Sequence, residues 1–226
     1  TMYIMSTSAL KTRVGIALAS FALFGAALVS TSVQAVELFG GLGTTGLEIG
    51  LGSRIGPNTG LRMDAEFLDY SRSFDRNGAS YDTKLKFSTL GVYGDYFLGS
   101  SFRFTAGALI GQRKASGNGV ATNGTITING TTYPAAGESV AAEARFPSFA
   151  PYLGIGFGHA QVSKGLSFYF DAGVAIGKAD AKITASPGLV AAAGQSNIDA
   201  EQRNLQDSVD ALKFFPTVKF GLGYNF

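Results

Sequence analysis

Ten charged side chains interrupt stretches that are otherwise apolar or built of small residues, and they are the groups in this chain best placed to do chemistry: Glu37, Glu48, Arg54, Arg62, Asp64, Glu66, Asp95, Arg103, Asp171 and Lys219. The run Arg62-x-Asp64-x-Glu66 shows their spacing most plainly, since alternate residues of a strand share one face. Six acids and four bases gathered in a low-dielectric interior must pair, because an isolated buried charge costs several kcal/mol. Such a set makes either a salt-bridged plug or a gated path for water or small ions, with Asp95 and Arg103 as the gate because they flank one tight turn. Catalysis has less to work with. His159 is the one histidine, and it falls beside a turn on the apolar parity, as an interfacial filler would. A serine nucleophile needs an adjacent base, no Gly-x-Ser-x-Gly elbow occurs, and the acids lack the spacing of zinc or EF-hand ligands. With no cysteine there is neither a disulfide framework nor a thiolate metal site, and no cofactor is expected.

Period-two alternation indicates which elements carry these charges. Phe214, Val218, Phe220, Leu222, Tyr224 and Phe226 share a face opposite Thr217, Lys219, Gly221, Gly223 and Asn225. Leu166, Phe168, Phe170, Ala172, Val174 and Ile176 likewise oppose Ser167, Tyr169, Asp171, Gly173 and Ala175. Strands are expected near 60–72, 82–98, 101–113, 148–159, 166–179 and 213–226, with a bulge near Ser88-Thr89, where the apolar parity changes. Residues 36–55 read as two short strands hinged at Gly43-Thr44-Thr45-Gly46, or as one bent strand. Short turns near 56–59, 99–100 and 163–165 contrast with long polar segments at 73–80, 115–146 and 181–211. Two strands in 36–55 give eight, an even number with both ends on one side, as bacterial single-chain barrels require.

The 226 residues include 31 Gly, 18 Phe and 9 Tyr but only 15% charged residues, too few for an ordinary soluble surface. Residues 1–35 contain no acid, carry Lys11 and Arg13, continue as VGIALASFALFGAALVS and end in Val33-Gln34-Ala35, so they read as a secretory signal preceding a single domain at 36–226. With those two cations set aside, 16 basic residues balance 16 acidic ones, which argues against a nucleic-acid partner. Alternation alone does not say which face is outside. The apolar face is large and aromatic, and Tyr96, Phe102, Phe104, Phe157, Phe168, Tyr224 and Phe226 gather near the short-turn ends, as residues at a bilayer interface do. The opposite face, mainly Gly, Ser and Thr, suits the narrow lumen of an eight-stranded barrel.

The ending Phe220-x-Leu222-x-Tyr224-x-Phe226 resembles the C-terminal assembly signal of Gram-negative outer-membrane barrels. Segments FAPYLGIGFG (149–158) and FPTVKFGLGYNF (215–226) are similar to those of the OmpA/OmpX-type small outer-membrane β-barrel superfamily. The resemblance implies an all-β fold, an eight-stranded antiparallel transmembrane β-barrel in the outer membrane, in contact with outer-membrane lipid, lipopolysaccharide and the barrel-assembly machinery. Nothing follows Phe226, so the peptidoglycan-tethering role of longer relatives is not expected. The external loops are the expected working surface. Asn129-Gly130 between β-prone runs favours a type I′ hairpin. Ser196 and Asp199 mark a short helix in the last loop, with Ile198, Leu205, Val209 and Leu212 at helical spacing, as a lid or a partner-binding element. No loop carries a basic run for lipid phosphates. The expected function is a structural or surface-binding, adhesion-like role without enzyme activity; the alternatives are a narrow passive channel and, further off, a lipid hydrolase.

Overall fold

The computed structural model describes residues 35–76, 79–122, 124–160, 163–210 and 213–226. The segment read as a signal lies outside them except for Ala35. In chain order the elements are β1 (Ala35–Gly43), β2 (Gly46–Arg54), β3 (Thr59–Arg76), β4 (Ala79–Leu98), β5 (Phe102–Ala121), β6 (Thr125–Ile128), β7 (Thr131–Pro134), β8 (Ser139–Phe146), β9 (Phe149–Phe157), β10 (Gly165–Ile176), β11 (Asp180–Ala185), α1 (Pro187–Ala193), α2 (Gln195–Asp210) and β12 (Phe214–Asn225). Eight of the strands form a closed antiparallel ring, β1-β2-β3-β4-β5-β9-β10-β12, which returns to β1 through pairs such as Leu38↔Tyr224 and Leu42↔Phe220. Closure leaves no unpaired edge in the ring. Residues 36–55 are two strands: Leu42 pairs Leu47 across a turn in which Gly46 takes φ +104°, a conformation open to glycine.

The ring is inverted relative to a soluble protein. Outward residues are apolar and open, from Leu38, Leu42 and Ile49 round to Phe168, Phe220 and Leu222, while inward positions hold Glu37, Arg62, Asp95 and Lys219 in full burial. Glycine makes room for these long side chains. A Cβ at Gly91 would overlap Tyr93 and Asp64, one at Gly156 would overlap Asp171, and one at Gly223 would overlap Glu37.

At the end opposite the short turns, β3, β4 and β5 run 18 to 20 residues, about twice the ~10 a tilted strand needs to cross a bilayer. The polar segment 73–80 is therefore mostly paired strand, Arg72↔Thr83 through Arg76↔Ala79. β8 continues the line of β9 in the same register against β5, interrupted at Pro147-Ser148, where proline removes a ladder donor. β11 likewise extends β10 and pairs β8.

Over the inward face of this extension lies a second core. Ile126 and Ile128 of β6, Leu189 and Ala193 of α1, and Ile198 of α2 pack with Ala121 and Ile183. β6 and β7 join through Asn129 (φ +49°) and Gly130 (φ +75°), the two left-handed residues of a type I′ turn. The tip is held by α2: Asn129 N donates to Glu201 Oε2 at 2.7 Å and Asn197 Nδ2 to Tyr133 Oη at 3.1 Å. The expected helix thus exists, starting one residue before Ser196, and it packs as a lid rather than standing free. α1, which precedes it, left no periodic signature in seven residues.

The expected bulge at Ser88-Thr89 is absent, because Glu66↔Thr89, Phe67↔Ser88 and Leu68↔Phe87 continue in step. What changes there is the lining of the interior. Phe87 faces inward, edge-on to Phe215 with ring centroids 5.7 Å apart, so aromatic packing replaces charge toward the mouth and mimics a change of parity.

Candidate functional site

The ten charged residues named from the sequence all lie in the interior of the ring, each at most 4% exposed. They stack in three layers, because the rise along tilted strands sets each pair of neighbours at its own height, and His159 links the first layer to the second. Nearest the short turns, Arg54 meets no carboxylate among the described residues. Its guanidinium donates to the carbonyls of Ala160 (3.0 Å), Pro57 (3.0 Å) and Ser100 (2.8 Å), and lies 3.9 Å over the Phe97 ring. One side chain on β2 thereby ties three separate turns into a floor.

His159 belongs to this floor, contrary to its expected lipid-facing position. The strand ends at Phe157, and Gly158 (φ +94°) and Ala160 (φ +48°) turn the chain inward. The buried imidazole stacks on Tyr169 (3.9 Å between centroids), with Nδ1 2.7 Å from Glu37 Oε2 and Nε2 3.4 Å from Asp171 Oδ2. Ala160 N donates to the same Glu37 oxygen at 2.9 Å. Strand parity could not place His159, since it lies two residues beyond the end of β9.

The middle layer is a two-by-two array. Arg62 donates to Asp95 (2.6 Å) and Asp171 (3.0 Å), and Arg103 contacts the same two acids, with Nε 3.3 Å from Asp95 Oδ1 and Nη2 against Asp171. Thr105 donates to Asp95 at 2.6 Å. The expected gate pair, Asp95 and Arg103, is thus locked to a further partner on each side.

The third layer is unbalanced. Lys219 Nζ lies 2.9 Å from Glu48 Oε2 and 2.8 Å from Asp64 Oδ2, and also contacts Glu66. Three carboxylates, with oxygens mutually within 4.8 Å, share that ammonium. The set has the density of a cation site, but the lysine already fills the cation's place. Hydroxyls complete it: Tyr169 donates to Glu48 (2.8 Å), Thr89 to Glu66 (2.8 Å) and Tyr93 to Asp64 (3.3 Å). These tyrosines have the same parity as the acids, but type alone does not distinguish a hydrogen-bonding tyrosine from a filling one. Above them Arg113 is also buried, donating to Pro147 O at 2.7 Å.

At the other end of the chain, Phe220, Leu222, Tyr224 and Phe226 form an outward row on β12, between β1 and β10, each about half exposed. Tyr96, Phe104, Phe157 and Phe168 continue this aromatic zone round the short-turn end.

No family model matches the chain, and no curated protein matches it. Among solved structures it is similar to Acinetobacter baumannii CarO2, at 20% identity and a TM-score of 0.63, covering 87% of this chain and 100% of that one. It is also similar to Acinetobacter baumannii CarO, at 19% identity and a TM-score of 0.58, covering 84% and 97%. At such identities the likeness concerns the fold. Closed ring, apolar exterior, charged interior and that likeness together give the chain the fold of an eight-stranded outer-membrane β-barrel.

Proposed function

We propose that the chain is a closed, non-conducting barrel whose work is done by the platform above its loop end, in a structural or surface-binding role. The observation that carries this reading is the locked middle layer, in which Arg62, Arg103, Asp95 and Asp171 are all within 4% of full burial and each charge has two opposite partners. Moving an ion through would require separating buried pairs, each costing roughly 3–5 kcal/mol to break. The lid adds a further barrier, since the β6–β7 hairpin and both helices pack over the inward face of the extended strands. Hydrolysis finds little support: the imidazole nitrogens of His159 face Glu37 and Asp171, which leaves the ring no serine to activate.

Planar bilayers test the closed state. The protein should give no conductance steps, and Arg103→Ala should not open it while the lid is intact; regular steps from the unaltered protein would favour the channel instead. For the surface role, residues 125–134 are the segment to exchange for a Gly-Ser linker, because a cut over 116–145 would also remove paired strand from β5 and β8. Cells displaying the exchanged protein should lose retention on epithelial monolayers relative to cells displaying the original. Equal retention would leave a purely structural role.

A further inference from the structure

The register of the extended strands assembles a charge row that the linear sequence does not contain. Asp69↔Lys86, Lys86↔Lys114, Lys114↔Arg145 and Arg145↔Asp180 are successive cross-strand pairs on β3, β4, β5, β8 and β11, so three cations stand side by side on the outer surface between terminal acids. Like charges directly opposite on neighbouring strands are destabilising. Glu143 relieves part of this by contacting both Lys114 and Arg145. Lys84 leans to Asp69 at 3.7 Å, whereas Lys86 has no ion-pair partner among the described residues. The row borders a surface cavity of about 770 Å³ lined by Lys84, Lys86, Lys114 and Arg145 with Asp180 the one acid. The cavity lining includes Phe149, 59% exposed and paired with Ile110, which also faces outward. From Ile110 to Lys114 is four residues of strand, about 13 Å, and over that distance the surface passes from hydrocarbon-facing to cationic.

We infer that this cavity is a binding site for the phosphate-bearing head of an outer-leaflet membrane amphiphile, its acyl chains lying on Phe149 and Ile110. The exposed Phe149 in the same lining as the cations distinguishes this occupant from a free anion, which would have no use for it. The site does not depend on whether the lumen is closed; it requires only that the extended strands lie in the outer leaflet's half of the membrane. An anion bridging Lys86, Lys114 and Arg145 neutralises a row that is otherwise strained, and each such cation near a charged membrane surface contributes about 1 kcal/mol.

The full chain, folded in neutral detergent micelles, is titrated with diphosphorylated lipid A, with the same lipid stripped of phosphate, and with inorganic phosphate, by native mass spectrometry. The intact lipid should bind best, with affinity that falls as salt rises, and inorganic phosphate should not saturate the site at the lipid's concentrations. Lys86→Gln combined with Lys114→Gln should weaken lipid binding by tenfold or more. Lys86→Arg with Lys114→Arg should keep it, as should Lys164→Gln at the opposite end of the barrel. Equal binding of the phosphate-free lipid, unchanged affinity in the double glutamine variant, or salt-independent binding by the unaltered protein would each overturn the site. Inorganic phosphate binding as tightly as the lipid would also overturn it.

Discussion

Replacing Lys219 by methionine removes the cation that, among the described residues, pairs with Glu48, Asp64 and Glu66, and leaves three carboxylates in a space sealed from water. At an effective dielectric constant of about 20, each attraction at 2.8–2.9 Å is worth about 6 kcal/mol before desolvation, and each repulsion between carboxylate oxygens within 4.8 Å of one another at least about 3.5 kcal/mol. Lys219→Met therefore loses every attraction and keeps every repulsion. Its measured cost should be at least the roughly 3–5 kcal/mol typical of breaking a buried pair. Glu66→Gln is the informative contrast, because it gives up one attraction but relieves two repulsions, and the two changes nearly cancel. That variant should fall within about 1 kcal/mol of the original protein, and Glu66→Gln should partly rescue Lys219→Met. Urea unfolding in lipid vesicles, read by the fraction of heat-modifiable gel migration and by far-UV circular dichroism, measures all of these. If Lys219→Met is as stable as the original, or if Glu66→Gln costs as much as Lys219→Met, the unbalanced layer is not held as described.

Arg54→Ala should lower stability by at least the roughly 1.5–3 kcal/mol that a single hydrogen bond from a charged donor contributes, since three turns lose their common tie; the same urea series reads it. Gly130→Val, at φ +75°, should cost the lid about 1–2 kcal/mol for a left-handed β-branched residue. That loss should appear as faster hydrogen exchange over 125–134, with the ring's unfolding unchanged. Glu143 in the extension is held below the usual carboxylate range by its bond from Lys114, with Arg145 assisting. Because the folded-state value is depressed, its stabilisation is complete above the unfolded value of about 4.3 and is lost as pH falls through the folded one. Protection factors at the β5–β8 amides, corrected for the pH dependence of intrinsic exchange, should therefore be level at pH 5 and above and fall below about pH 4, and Lys114→Gln should flatten that dependence.

Alternation in β1–β5, β10 and β12 sufficed to place every one of the ten charges on the inner parity, because a strand's side-chain period of two depends only on the local backbone. The same locality made the eight-stranded ring, the Asn129-Gly130 turn and the helix near Ser196 legible in advance. Locality also explains the misses. His159 lies just past the end of its strand, where two residues with positive φ turn the chain and parity no longer applies. Phe87 looked like a change of face because the lumen changes from ionic to aromatic along its length, which no single strand records. Which acid meets which base was decided by register between strands. Arg54 bonds three carbonyls rather than an acid, Lys219 serves three acids, and Lys86, Lys114 and Arg145, far apart in sequence, become neighbours. The chain's own periodicity thus determined the face each charge would occupy, and only closure of the sheet determined its height and its partners.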